Sequence, residues 1–163
     1  MIAENCHSAK QTLSFEQFGT ARPPLAKQAA EKILEQYSGR KDILLVDDEP
    51  VNREVGLALL DFPGIKVKMA ADGLEAVKLV ASYRFDLILM DVHMPRMDGI
   101  EAVRLIRKMP HGIGVQIITL TADSRFENRE YSSSLGMDDC LLKPINPDLL
   151  YQKVLWSLQI IEE

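Results

Sequence analysis

Short unbroken apolar runs alternate along this chain with longer stretches in which apolar residues recur at helical spacing. Leu87-Ile88-Leu89-Met90 is the plainest run, too short for a typical helix, entered through Asp86 and left through Asp91. It reads as a strand buried on both faces. Ile43 to Val46 and Val115 to Leu120 have the same form, and Cys140-Leu141-Leu142 is a shorter example. Ile65 to Met69 alternates instead, with Lys66 and Lys68 facing outward as on an edge strand. Between these runs lie five helix-patterned segments. Pro50 opens the first, with Val51, Val55, Ala58, Leu59 and Phe62 on its core face and Pro63-Gly64 as its stop. Asp72-Gly73 starts the second, with Leu74, Val77 and Val80 inward. Ile100, Val103, Leu105 and Ile106 mark the third, ended by Pro110 and Gly112. The fourth is expected from Ser124, where Ser124 and Glu127 have capping-box spacing, to about Gly136. Its Ser132-Ser133-Ser134 run predicts low local stability. Asn146-Pro147 opens the fifth, which runs to about Ile161. Its core face is Leu150, Val154, Leu158 and Ile161, and Leu149, Trp156 and Ile160 form a second apolar stripe.

Strands that alternate with helices imply right-handed crossovers and a parallel sheet. The expected fold is therefore α/β: a flavodoxin-like, doubly wound, five-stranded parallel sheet of order 2-1-3-4-5 with helices on both faces. The switch point of that order lies between the first and third strands, so Asp47, Asp48 and Asp91 converge on one crevice. Residues 41–163 form this domain. Residues 1–40 are expected to be a linker or tail: Met1 to Pro24 is weakly periodic, and Leu25 to Tyr37 is helical with Ala26, Ala29, Ala30, Ile33, Leu34 and Tyr37 on one face. So short a helix is marginal in water and needs a dock, for which the second stripe of the closing helix is the candidate.

Composition narrows the function classes. A chain of 163 residues with 47% hydrophobic content is too apolar for wholesale disorder. A net charge of -5, with no lysine and arginine run, offers no surface for nucleic acid or an anionic membrane. Cys6 and Cys140 form neither a metal-ligand spacing nor a disulfide framework, which fits a reducing cytoplasm. Met1 to Gln11 lack the basic start and apolar core of a secretory signal, and no apolar run reaches membrane-spanning length. A glycine-rich phosphate loop is missing, which disfavours a nucleotide-binding fold.

The carboxylates carry the candidate chemistry. Taken alone, Asp47 and Asp48 are ordinary acids at a helix N-terminus. Clustered with Asp91 they repel unless a cation neutralises them, and hard oxygen ligands without thiolate or imidazole point to magnesium. Thr121 ends the fourth strand and Lys143 the fifth, adding a hydroxyl and an ammonium at the same sheet edge. That set suffices for phosphoryl transfer. His93 is not expected to bind metal through its imidazole; His7 and His111 read as surface residues, and Asp98-Gly99 as turn and cap.

Asp47-Asp48-Glu49-Pro50, Met90-Asp91-Val92-His93-Met94-Pro95-Arg96-Met97-Asp98-Gly99, Leu120-Thr121-Ala122 and Leu142-Lys143-Pro144-Ile145 resemble, in that order, the signature segments of response-regulator receiver domains. The resemblance covers residues 41–160. It implies that Asp91 accepts a phosphoryl group from a phosphohistidine on a histidine kinase or histidine phosphotransfer domain. It implies that Asp48, Asp91 and the His93 backbone carbonyl hold Mg2+, with Asp47 acting through water. Lys143 would pair with the phosphoryl group and the Thr121 hydroxyl would swing toward it. The signal would then reach the face made by the segment after Ser124, the last strand and the closing helix, which is also the expected self-association face. One departure stands out: Cys140 occupies the place where most receivers carry a switch aromatic, three residues before the lysine. Cys140 itself reads as a small buried hydrophobe rather than a redox sensor. The preferred parent is a hybrid sensor kinase, whose histidine kinase activity would lie elsewhere in the longer chain; a free-standing regulator is the alternative. A receiver-like module that binds partners without phosphorylation is weakened by the intact acid, threonine and lysine set. A haloacid-dehalogenase-like phosphohydrolase is weakened because Asp47-Asp48 lacks the Asp-x-Asp pattern.

Overall fold

The structure, a computed structural model, describes residues 25–161. The linker expected over Met1 to Pro24, with Cys6 and His7, lies outside the described residues. Five strands, β1 (Lys41–Val46), β2 (Ile65–Ala70), β3 (Leu87–Asp91), β4 (Gln116–Thr121) and β5 (Asp139–Leu142), pair in parallel in the order β2-β1-β3-β4-β5. Among the described residues six α-helices accompany them: α1 (Lys27–Gln36), α2 (Pro50–Leu59), α3 (Gly73–Ser82), α4 (Gly99–Ile106), α5 (Arg129–Ser134) and α6 (Pro147–Ser157). The doubly wound α/β sheet expected from the apolar pattern is the one observed.

The three central strands are buried on both faces, and their alternating side chains feed two cores. Leu45, Leu89, Ile118 and Leu120 face a cluster completed by α1 and α6, whereas Leu44, Ile88, Met90 and Ile117 face one completed by α3 and α4. Within the first cluster α1 packs on α6, burying Ala30, Ile33 and Leu34 together with Leu25. Ala26, expected on the buried face, is exposed. On α6 the core face is as expected, but the second stripe is different. Ile160 is buried and Trp156 partly so, Leu149 is exposed, and Tyr151 and Leu155 are buried in addition. Tyr151 also meets Phe62 edge-on at 5.5 Å, so the covered stripe is one helical step from the one the apolar count favours.

The largest correction concerns α2. None of its residues is buried, and Val51 and Val55, expected inward, are 66% and 52% exposed. Ala58 is exposed too, and of the expected face only Phe62, beyond the helix, is buried. Polar anchors decide the rotation. Asn52 Nδ2 donates to both carboxylate oxygens of Asp47 at 3.2 and 3.3 Å, and Arg53 Nη1 donates to the Asp47 and Asp48 carbonyls at 2.7 and 3.0 Å. One turn on, Gly56 approaches the sheet so closely that a Cβ there would lie 2.6 Å from Leu45 Cδ2.

Smaller corrections follow the same logic. Leu74 is exposed while Ala76 is buried on α3, and Met69 is exposed on edge strand β2. Lys68, expected outward, is half-buried with its ammonium 4.4 Å from the Tyr83 ring. His111 is half-buried, with Nδ1 3.1 Å from the Val80 carbonyl. The segment after Ser124 is not one helix. A 3-10 turn (Ser124–Glu127) comes first, with Asp123 as its cap, and Asn128 then caps the short α5 by accepting from Tyr131 N–H. Asp123 and Asn128 side chains displace the expected Ser124–Glu127 box.

Arg107, which the apolar pattern does not single out, joins three segments. Its guanidinium donates to the carbonyls of Gly112, Val115 and Gly136 at 2.8, 2.7 and 2.8 Å and pairs with Asp138 at 2.8 Å. Asp138 in turn accepts from Ile117 N–H. Arg107→Ala removes several charge-assisted bonds at once and is expected to cost about 2–4 kcal/mol. Urea unfolding checks this: the midpoint falls and the slope stays constant.

Candidate phosphoryl-transfer site

The acids arrive from two neighbouring strands. Asp47 and Asp48 follow β1, and Asp91 is the last residue of β3, whose register sets Met90 beside Val46. Carboxylate oxygens of Asp47, Asp48 and Asp91 all lie within 4.8 Å of one another. Asp47 and Asp91 are buried, and Asp48 is half-buried. Lys143, one residue beyond β5, brings its ammonium to 3.0 Å from Asp47 Oδ2 and 3.2 Å from Asp91 Oδ2. Its peptide bond to Pro144 is cis. Thr121, at the end of β4, is buried, and its Oγ1 accepts from Asp123 N–H at 3.1 Å. His93 is exposed, and its backbone N–H donates to Asp91 Oδ1 at 3.3 Å. The structure thus gathers Asp47, Asp48, Asp91, Thr121 and Lys143 at the carboxyl edge of the sheet, and Cys140 is buried one layer below.

The local backbone explains the precision of this edge. Gly99 opens α4 against the end of β3, where a Cβ would lie 2.1 Å from the Asp91 carbonyl oxygen, so no side chain fits. Asp98 caps α4 by accepting from Glu101 N–H. Arg96, with φ of 67°, ion-pairs with the buried Asp72, which also caps α3 by accepting from Glu75 N–H. The loop after Asp91 is thereby tied to α3. Sequence reasoning missed Asn52, Arg53 and Arg96 as supports; their signal was a polar residue within a turn or two of the acids.

Electrostatics separate the roles of the acids. Burial pushes the Asp91 carboxyl above the ordinary carboxylate range, opposed by the Lys143 charge and reinforced by that of Asp47. Burial pulls Lys143 down, but its bond to Asp47 and the charges of Asp91 and Asp47 outweigh that and hold it above the usual lysine range. Asp47 is already engaged by Glu49 N–H, Asn52 and Lys143. A net-negative cluster of hard oxygens with one neutralising ammonium suits Mg2+, which favours carboxylate, carbonyl and water ligands.

Residues 43–155 match the family model of the response regulator receiver domain. The chain belongs to the response regulator receiver family. Sensor histidine kinase RcsC of Escherichia coli is 36% identical over 110 residues, covering 68% of this chain and 11% of that protein. Two-component system protein A of Emericella nidulans is 38% identical over 137 residues, covering 82% of this chain and 20% of that protein. The receiver domain of sensor histidine kinase PA1611 from Pseudomonas aeruginosa, solved with a magnesium ion in its active-site cleft, is 40% identical with a TM-score of 0.65. That match covers 74% of this chain and 98% of the other. This receiver therefore spans only a tenth to a fifth of the curated relatives' length. Its function is that of a receiver in a two-component phosphorelay, and its acid cluster fits the phosphorylation site. Among the described residues, no helix is long and apolar enough to cross a membrane.

Proposed function

We propose that Asp91 is the phosphoacceptor. The observation that carries this is its position: a strand-end carboxylate clustered with Asp47 and Asp48 and 3.2 Å from the Lys143 ammonium. An Asp91 carboxylate oxygen attacks the phosphorus of a phosphohistidine, forming a P–O bond as the P–N bond breaks and the imidazole leaves. Lys143 pairs with the transferred group and the Thr121 hydroxyl donates to one of its oxygens. Asp48, Asp91 and the His93 carbonyl would hold Mg2+, with Asp47 reaching it through water, and the ion supplies neutralisation of phosphoryl charge.

The donor is a histidine kinase or histidine phosphotransfer domain, and the parent chain a hybrid sensor kinase, as the likeness to RcsC and its small share of that protein's length support. The outward face of α2 is the candidate donor dock. Val51, Val55 and Leu57 are exposed beside a cleft of about 480 Å3 that α2 forms with Lys143, Pro144 and Ile145. An exposed apolar patch next to the acceptor suits an amphipathic donor helix. Val55→Asp is expected to slow transfer from a phosphorylated phosphotransfer domain about tenfold or more, the cost of one buried charge at such a contact. Uptake from acetyl phosphate, which needs no dock, should be unchanged; equal slowing with both donors would sink the dock. By the same reading α5, β5 and α6 form the face for self-association or a downstream partner, which size-exclusion chromatography of the phosphorylated chain tests.

A further inference from the structure

β5 carries Cys140 where the family resemblance expects a switch aromatic, and the 3-10 turn after β4 carries a buried one, Phe126. Cys140 lies in register with Thr119 on the sheet face that also carries Thr121. Thr119 Oγ1 is fully buried there with no hydrogen-bond partner among the described residues. The 3-10 turn packs against β5 at this point, and Phe126, 3% exposed, joins Met90, Met137 and Cys140 in one cluster. The Phe126 ring meets Tyr131 of α5 edge-on, 5.3 Å between centroids and 73° between planes. Ser132 Oγ donates to the Phe126 carbonyl. On the site side, Asp123 N–H donates to Thr121 Oγ1, and the Asp123 carboxylate is gripped by Arg125 Nε at 2.9 and 3.0 Å. Arg125 in turn lies over the Tyr131 ring at 5.9 Å. Contacts therefore run without a gap from Thr121 through Asp123, Arg125 and Phe126 to α5.

We propose that Phe126, buried in the same core cluster as Cys140 and edge-on to Tyr131, is the aromatic switch residue of this receiver, passing a displacement of Thr121 to α5. The inference rests on the reading that Asp91 takes the phosphoryl group and that Thr121 closes on it. Closure draws on the backbone that holds Thr121 Oγ1, and the turn bearing Phe126 begins immediately after. A close-packed ring does not slide continuously; it occupies one seat or another, which makes a discrete switch. Cys140 gives β5 a small side chain in this cluster, in register with the unpartnered Thr119 hydroxyl. The six-residue α5, with Ser132, Ser133 and Ser134, gives way readily.

Hydrogen exchange of the full chain, with and without beryllofluoride and Mg2+, tests this. In the wild type, beryllofluoride should change exchange over residues 124–135 roughly tenfold, an ordinary size for coupling between sites. Phe126→Leu should lose most of that change while still binding beryllofluoride through Asp91. Phe126→Leu combined with Cys140→Tyr, which returns an aromatic to β5, should restore it. A full response in Phe126→Leu, or no recovery in the double variant, overturns the proposal. Beryllofluoride bound in the wild type with no change over 124–135 overturns the switch alone. No Asp91-dependent binding in the wild type overturns the phosphoacceptor reading with it.

Discussion

Asp91→Asn is expected to abolish phosphoryl uptake while leaving the fold intact. An amide is no nucleophile at this position, so intact-mass spectrometry with acetyl phosphate and Mg2+ should show one added phosphoryl group in the wild type. The variant should show less by more than about 10³-fold, the scale on which removing a covalent nucleophile acts. Stability should move the other way. Burial and Asp47 make the charged form of Asp91 unfavourable in the fold despite Lys143, so a neutral isostere is expected to melt no lower than the wild type without Mg2+. The pH profile follows from the same shift. Because the Asp91 pKa is raised in the metal-free site, its carboxylate is lost to protonation at a higher pH than an ordinary aspartate's, which an NMR titration of the Asp91 carboxyl without Mg2+ should show. The folded state takes up this proton more readily than the unfolded chain, so the contribution of Asp91 to stability rises as pH falls through its folded pKa. An Asp91→Asn chain that still gains the phosphoryl mass would place the acceptor elsewhere.

The second large effect is on stability. Deleting residues 1–38 removes α1 and the cover it gives α6. Leu25, Ile33 and Leu34 are at most 5% exposed. At about 1.5–3 kcal/mol for each fully buried side chain, the gross loss over these three is about 4.5–9 kcal/mol. Releasing α1 from its ordered state offsets part of that. A net loss of about 3 kcal/mol corresponds to a fall in Tm of roughly 10 °C for a domain of this size. Trp156, packed partly against the same cluster, should become more accessible to acrylamide. Ile33→Ala tests the same contact without shortening the chain: a cavity of this kind costs about 2–5 kcal/mol, and here the loss is capped at that of removing α1 altogether. An unchanged Tm and unchanged quenching after the deletion would mean that α1 contributes nothing to the core.

Much of the site was legible because each of its parts is local. Asp47, Asp91, Thr121 and Lys143 each follow or end an apolar run, and parallel topology places all such ends on one edge of the sheet. Strand order then does the rest: β1 and β3 are neighbours, so their terminal acids meet. The caps Asp72, Asp98 and Asn146 were legible for the same reason, since each bonds within its own first turn. The start of α5 was not, although its cap is equally local. Ser124 and Glu127 have the right spacing for a box, but Asp123 and Asn128 compete for the same backbone and win.

From the sequence alone came the parallel sheet, its expected order and the convergence of the acids: strand burial is written in the apolar pattern, crossover handedness follows from the twist of L-residue strands, and the order is that of a flavodoxin-like doubly wound fold. Tertiary structure alone decided which face of α2 meets the sheet, which stripe of α6 is covered and which core Phe126 enters. Those choices depend on partners brought together by the fold: Asp47 and Leu45 against Asn52 and Gly56, α1 against α6, and Met90, Met137 and Cys140 in one cluster with Phe126. Periodicity counts apolar residues on a face, but a face is buried only where a neighbour of complementary shape and satisfied polar groups is brought against it.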